Sequence, residues 1–286
     1  MTVFEPGPTR GRAIRPELSD SAFRRIADFA HNQFGIQIDL QKKSMIQSRL
    51  SKRLRALGQT DFAEYCAMIE GGAAEEREQF ISAITTNVTH FFREVHHFEQ
   101  LRDDVLPPLI ETARQGGRVR IWSAGSSTGP EPFSIAATLL ALCPEAAALD
   151  IRILATDLDR AVLTKAKTGT FDADQAKVPA PHWAKLVFEQ PGAADRKQVR
   201  ADVMALVTFR QLNLNGDWPM RRPFDVIFCR NVAIYFGRAV QQRLWQRFAD
   251  HLPAGGTLVI GHSERVSGPA ADKFDPAGIT TYRKRA

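Results

Sequence analysis

The run Asp225-Val-Ile-Phe-Cys-Arg-Asn-Val-Ala-Ile-Tyr-Phe236 is apolar until Arg230 and Asn231, and then presents Tyr235. A buried strand needs the apolar half, but nothing about a core asks for an Arg-Asn pair at its end. The polar residues therefore face a ligand at the strand's carboxyl edge. A second apolar stretch, 119–122, runs into Ser123-Ala-Gly-Ser-Ser-Thr-Gly129, after which Pro130 and Glu131 open a helix. Glycine in such a turn lets the backbone come close to a ligand. The loop lacks the spacing and lysine of a triphosphate loop, and it does not fit the G-x-G-x-x-G dinucleotide pattern. A third strand ends in Ala155-Thr-Asp157-Leu-Asp159. Asp159 is placed to cap the following helix, which leaves Asp157 to accept the two ribose hydroxyls of an adenosyl ligand. Together the three edges favour S-adenosylmethionine over a nicotinamide dinucleotide.

Such edges need a parallel sheet behind them. From Arg118 onward, strand-like runs (119–122, 151–155, 207–212, 226–229 and 257–261) alternate with helical ones (135–143, 160–166 and 238–251). That alternation predicts an α/β, Rossmann-like fold wound by right-handed crossovers. The rhythm breaks between Thr168 and Ala205, around Pro179, Pro181 and Pro191, so a small inserted subdomain is expected at 170–205. Upstream the patterns are helical only. Ser19 or Asp20 caps a helix carrying Phe23, Ile26 and Ala30 that stops at Gly35, and a second helix over 41–57 is closed by Gly58. A third starts near Asp61 and carries Phe62, Tyr65 and Ile69 as far as Gly71 and Gly72; a fourth carries Phe80, Ile81 and Ile84. The organisation predicted is a disordered tail over 1–16, an all-α N-terminal domain over 17–84, and the α/β domain over 85–286.

Composition bounds the function. A chain of 286 residues, 44% of them apolar, can bury a substantial core. No apolar run approaches the roughly 20 residues needed to cross a bilayer, and residues 1–15 hold no apolar signal region, so a cytoplasmic protein without membrane insertion is expected. Cys66, Cys143 and Cys229 are odd in number, far apart and set among apolar neighbours. This argues against disulfides and zinc, and no metal is expected. The net charge of +6 points to an acidic partner. In the second helix Ile46, Leu50, Leu54 and Leu57 form an apolar stripe, with Arg49, Lys52, Arg53 and Arg55 beside or opposite it. Those cations read as a docking surface for a polyanion or an acidic helix, with a solvated helix face as the alternative. The absence of a long exposed apolar seam favours a monomer.

Six segments in order carry a resemblance: Thr86-Asn-Val-Thr-His-Phe-Phe-Arg93-Glu94, Trp122-Ser-Ala-Gly-Ser-Ser-Thr-Gly-Pro-Glu-Pro132, Ala155-Thr-Asp-Leu-Asp159, Leu212-Asn213-Leu214, Phe224 to Phe236, and Gly261-His-Ser-Glu264. From the helical bundle to the last strand the chain resembles the bacterial chemotaxis receptor methyltransferases, the CheR family. The resemblance implies a class I S-adenosylmethionine-dependent methyltransferase domain with a small inserted β-subdomain. It implies O-methylation of glutamate side chains on the cytoplasmic helical bundle of chemoreceptors, with S-adenosylhomocysteine as the second product. Carried over by motif, Asn87, Thr89 and Arg93 contact the cofactor, Glu131 stands near its methionine amino group, and Asp157 holds the ribose. Asn213 and Leu214 flank the adenine, Arg230 and Asn231 close the methionine end, and Arg93 and Tyr235 face the substrate carboxylate as catalytic residues. Arg49, Lys52, Arg53 and Arg55 would then lie along the acidic receptor helix. In some members the β-subdomain grips a tether peptide at the receptor's C-terminal tail, and the stretch 171–204 resembles that subdomain only loosely. Pro130 stands where the family usually carries a second acidic residue, and Ser126 where cysteine is common; proline is well tolerated in a helix's first turn.

A glutamate with a reference pKa of about 4.3 is already a carboxylate at neutral pH, so methyl transfer to it needs no strong general base. Positioning and exclusion of water would dominate. Two other classes stay open at this point: a non-catalytic S-adenosylmethionine-binding signalling module, and a nucleic-acid methyltransferase. Against the latter, the chain has no interleaved aromatic and basic run and no motif for a flipped base.

Overall fold

The computed structural model describes residues 16–189 and 195–286; the tail expected over 1–16 lies outside the described residues except for Pro16, and Pro191 lies outside them too. The chain divides into two compact units, one running to Asp28 and resuming over Asp39–Ile84, the other combining Phe29–Ile38 with Thr85–Ala286.

The first unit is helical. Helix α1 (Asp20–Phe34) starts where Ser19 Oγ accepts the N–H of Ala22 at 3.1 Å, and its last turns belong to the second unit. Helix α2 (Lys43–Ala56) buries Ile46, Leu50 and Leu54 at helical spacing. Leu57, expected to complete that stripe, is 38% exposed because it is the C-cap, where the chain turns away through Gly58 at φ +69°. Helix α3 (Phe62–Glu70) is capped by Asp61, which accepts the N–H of Ala63, and α4 (Ala74–Ile84) buries Phe80, Ile81 and Ile84.

The second unit opens with α5 (His96–Gln100), which passes through a π-helical turn into α6 (Leu106–Arg114). Pro107 and Pro108 hide this helix in the sequence, yet they fall in the first turn of α6, directly after the π-helical turn. Then follow β1 (Val119–Ala124), α7 (Pro130–Leu142), β2 (Ile151–Asp157), α8 (Arg160–Thr168), β3 (Thr170–Asp172), α9 (Pro181–Val187), β4 (Arg196–Gln198), α10 (Ala201–Ala205), β5 (Val207–Gln211), β6 (Val226–Cys229), α11 (Arg238–Asp250), β7 (Thr257–Ile260), β8 (Phe274–Gly278) and β9 (Thr281–Lys284).

Seven strands form one sheet in the order β5-β2-β1-β6-β7-β9-β8. The first five are mutually parallel, as the alternating pattern predicts, while β9 and β8 extend the sheet antiparallel. The hairpin β8–β9 is a surprise: Pro276 and the irregularity between Pro276 and Gly278 break its pattern, and an edge strand accommodates both. Strand periodicity sends Val119, Ile121, Val226 and Phe228 into one core, with Phe91, Phe98 and Phe133. It sends Trp122, Ala124, Ile227 and Cys229 into the other, with Trp245 and Phe248. Within the insertion β3 and β4 pair as a two-stranded antiparallel ribbon, and Phe171 packs edge-on against Phe91 at 5.0 Å. All three cysteines are buried and unpaired. No helix among the described residues is long and apolar enough to cross a membrane.

Candidate active site

Parallel pairing brings the carboxyl ends of β1, β2 and β6 together, with Ala124 opposite Thr156 and Ser123 opposite Phe228. The chain leaves β1 through Gly125 at φ +88°, where a Cβ would lie 2.3 Å from Val232 Cγ2, so only glycine fits. The N–H groups of Gly125 and Ser126 both donate to the carbonyl of Thr156 at 2.8 Å, folding the loop over the end of β2. Asp157 lies there, 8% exposed, accepting the N–H of Ser127 at 2.8 Å and of Asp159 at 2.9 Å. Burial pushes its carboxyl up to about 6, against the pull of those N–H donors. Asp159 caps α8 through the N–H of Ala161 at 2.9 Å, as expected. Its other oxygen accepts Asn87 Nδ2 at 3.2 Å, which ties the segment carrying Asn87 to this edge.

Arg230, at the end of β6, is 6% exposed and stands between two carboxylates. Its Nη1 is 3.2 Å from Glu131 and its Nη2 is 3.2 Å from Glu94. Nη2 also donates to the carbonyl of Arg93. Burial raises the pKa of Glu131, opposed by the Arg230 charge and by a 2.7 Å hydrogen bond from Ser123 Oγ. For Glu94, burial is outweighed by the hydrogen bond from His262 and the charge of Arg230, which hold it at about 2.

The loop after β6 is pinned by Glu264, a residue of the sixth motif that sequence reasoning left without a role. Its carboxylate accepts the N–H groups of Gly261 at 2.6 Å, Asn231 at 2.9 Å, Val232 at 3.0 Å and Ile234 at 3.3 Å. A Cβ on Gly261 would lie 2.8 Å from the Asn231 nitrogen, so that glycine is what allows the loop to approach. The loop presents Tyr235, whose hydroxyl donates to the carbonyl of Thr86 at 3.4 Å. Arg93, half-buried, donates to the carbonyl of Val88 at 3.1 Å, and Thr89 is half-buried in the same segment. Phe92, Glu94, Ser127 and Asn231 all adopt positive φ between 50° and 59°, a concentration of backbone strain typical of ligand sites.

Asn213 and Leu214 are more occupied than expected. Asn213 donates to the carbonyl of Gln33 at 2.8 Å and accepts the N–H of Asn215 at 2.9 Å, while Leu214 is buried in the core with Trp122. The side chain of Asn213 is thus committed to holding the chain, and its backbone is what it can offer a ligand. The oxygens of Ser126 and Asn231 and the Nε of Arg230 are buried without a hydrogen-bond partner. Buried acceptors at Asp157 and Glu131 together with these orphaned polar atoms suit a ligand that carries both a diol and an ammonium group.

The cations of α2 divide within their own unit. Arg53 is engaged by Glu76 through two hydrogen bonds at 2.7 and 3.2 Å, and the buried Glu76 also accepts the hydroxyl of Tyr65 at 2.9 Å. Arg53 is thus already engaged inside its own unit, which the charge pattern alone does not show. Arg49 donates to the carbonyls of Ala83 and Ile84 at the end of α4. Lys52 and Arg55 are exposed.

Residues 87–283 match the family described as CheR methyltransferase, SAM binding domain, and residues 21–85 match its all-alpha domain. The chain is 50% identical over 256 residues to a probable chemotaxis protein methyltransferase of Rhizobium etli, covering 88% of this chain and 96% of that one. It is 40% identical to the chemotaxis protein methyltransferase of Klebsiella aerogenes, over 94% of this chain and 91% of that one. With the Escherichia coli protein of the same description the identity is 39%, over 94% and 92%.

Proposed function

The chain belongs to the CheR methyltransferase family, and on that premise we propose that its carboxyl-edge pocket binds S-adenosylmethionine for O-methylation of glutamate side chains on chemoreceptors. The products would be glutamate methyl esters and S-adenosylhomocysteine. The observation that supports this most is the placement of Asp157 at the end of β2, Arg230 just after β6, and Glu131, paired with Arg230, in the first turn of the helix that follows β1, where β2, β1 and β6 are adjacent parallel strands. Asp157 would accept the ribose hydroxyls, and Glu131, already balanced by Arg230, would take the methionine ammonium. Asn87 and Thr89 would line the mouth, Asn213 and Leu214 the adenine end, and Asn231 the methionine end.

S-adenosylmethionine supplies an electrophilic sulfonium methyl, so the chain's task is to orient and desolvate an acceptor that is already ionised. Arg93 and Tyr235 would flank the opening. Arg93 would hold one oxygen of the substrate carboxylate by a charge-assisted bond while the Tyr235 hydroxyl sets its orientation. Lys52 and Arg55, with Arg49, would meet the acidic receptor helix. The ribbon β3–β4 is where a receptor tail peptide would add, and the protein would act as a cytoplasmic monomer with an all-α domain over 17–84 and a catalytic domain over 85–286.

The test is incubation with methyl-labelled S-adenosylmethionine and receptor cytoplasmic fragments, or nucleic acid as control. Label on the receptor that base releases as methanol is the expected result. Base-stable label, or label on nucleic acid, would reject the assignment.

A further inference from the structure

Next to Arg230 three metal-ligating side chains converge: one ligand atom each from Glu94, His96 and His97 lie within 4.8 Å of one another. His97 is 1% exposed, and its Nε2 sits 3.0 Å from the carbonyl oxygen of Ile279 and 2.9 Å from Thr280 Oγ1. A carbonyl can only accept, so Nε2 carries the proton of the neutral ring. Its Nδ1 is then a bare lone pair, buried without a hydrogen-bond partner, 3.3 Å from Glu94 Oε2. Glu94 Oε2 and His97 Nδ1 face each other there, and neither has a hydrogen-bond partner. His96 Nε2 is another buried nitrogen without a partner, and the two imidazole centroids are 4.1 Å apart.

We propose that Glu94, His96 and His97 form a binding site for a divalent transition-metal ion such as zinc, beside the cofactor pocket. Zinc bonds of about 2.0–2.2 Å in tetrahedral geometry place neighbouring ligand atoms about 3.3 Å apart. The His97–Glu94 separation is already at that spacing, and His96 would close the rest by side-chain rotation. The hydrogen bond from Nε2 to a backbone carbonyl is the outer contact that orients a ligating histidine. Two imidazoles and a carboxylate suit zinc, copper or nickel better than magnesium or calcium. Arg230 Nη2, 3.2 Å from the same Glu94 oxygen, competes with the ion and keeps the affinity below that of a closed structural zinc site. This site stands apart from the methyltransfer reading, and its test needs no turnover.

Full-length protein stripped with chelator would be titrated with zinc chloride by calorimetry, and its imidazole nitrogens followed by NMR. One zinc per chain is expected, with affinity at least tenfold weaker in His96→Gln and unchanged in His182→Gln, which removes an exposed histidine outside the cluster. In the zinc-free protein the His97 proton should reside on Nε2, and zinc should shift Nδ1. No binding, equal binding in His96→Gln, equal loss in His182→Gln, or a His97 proton on Nδ1 would each overturn the site. If His96→Gln does not fold, the wild-type response of His97 Nδ1 to zinc decides alone.

Discussion

Glu264 accepts the backbone N–H of Asn231 at 2.9 Å, and this contact joins the turn after β7 to the loop that presents Tyr235. Three further N–H groups point at the same carboxylate. In Glu264→Gln an amide NH2 would confront those donors. Hydrogen bonds to a charged acceptor contribute about 1.5–3 kcal/mol each, so a loss of about 2 kcal/mol or more in denaturant unfolding is expected, together with weaker cofactor binding. Wild-type stability in this variant would mean the loop holds its shape without the anchor.

Arg93 gives the fold one hydrogen bond from a half-buried side chain, so Arg93→Ala should leave the melting temperature nearly unchanged. Turnover should fall by two orders of magnitude or more, on the scale of removing one preorganised stabilising donor. Normal methylation by the folded variant would remove Arg93 from the mechanism.

Asp157 titrates at about 6 in the fold against about 3.9 in an unfolded chain. A raised folded value contributes stability that is complete below the unfolded pKa and is lost as pH rises through about 6. Affinity for S-adenosylhomocysteine should run the opposite way, because ribose hydroxyls donate best to the ionised carboxylate. Calorimetry at about pH 5 and about pH 7 should show tighter binding at the higher pH, and Asp157→Asn should flatten the difference.

Arg53 and Lys52 are adjacent in α2 but should respond differently. Arg53→Ala leaves the buried Glu76 carboxylate with only the Tyr65 hydroxyl and should cost about 2 kcal/mol after allowance for the partial exposure of the arginine. Lys52→Glu and Arg55→Glu should leave stability and cofactor affinity intact while raising the KM for receptor fragments, more so at low salt. A receptor KM that stays constant in both reversals would take α2 out of receptor docking.

Asp157 and Arg230 were legible in the sequence because each follows an apolar run that has no structural use for it, and Asp159 because it stands where a helix needs a cap. The helical and α/β patterns were legible too, since burial of one face gives a helix its period of 3.6 and burial of both faces makes β6 and β7 near-continuous apolar runs. Glu264 was not, because its role lies in backbone N–H groups that converge only after β6 and β7 pair. For Asn213, expected at the adenine, and Arg53, expected at the receptor, the hydrogen bonds to Gln33 and Glu76 were not legible, because a polar residue's partner is a long-range property. Helix α6 and hairpin β8–β9 were hidden by prolines, which the fold accommodates after a π-helical turn and at a sheet edge.

Because the last turns of α1 and the residues to Ile38 belong with the strand-bearing unit, that unit is not contiguous in sequence. Asn213 donates to Gln33, and Ile36 forms an isolated bridge with Phe236 one residue beyond Tyr235. A fragment excised at Thr85 would therefore lack a brace beside its reactive mouth while keeping every residue of the pocket. Trimming the gene to its methyl-transferring half should weaken that half, and a protease that nicks between Ile38 and Lys43 would leave the brace in place.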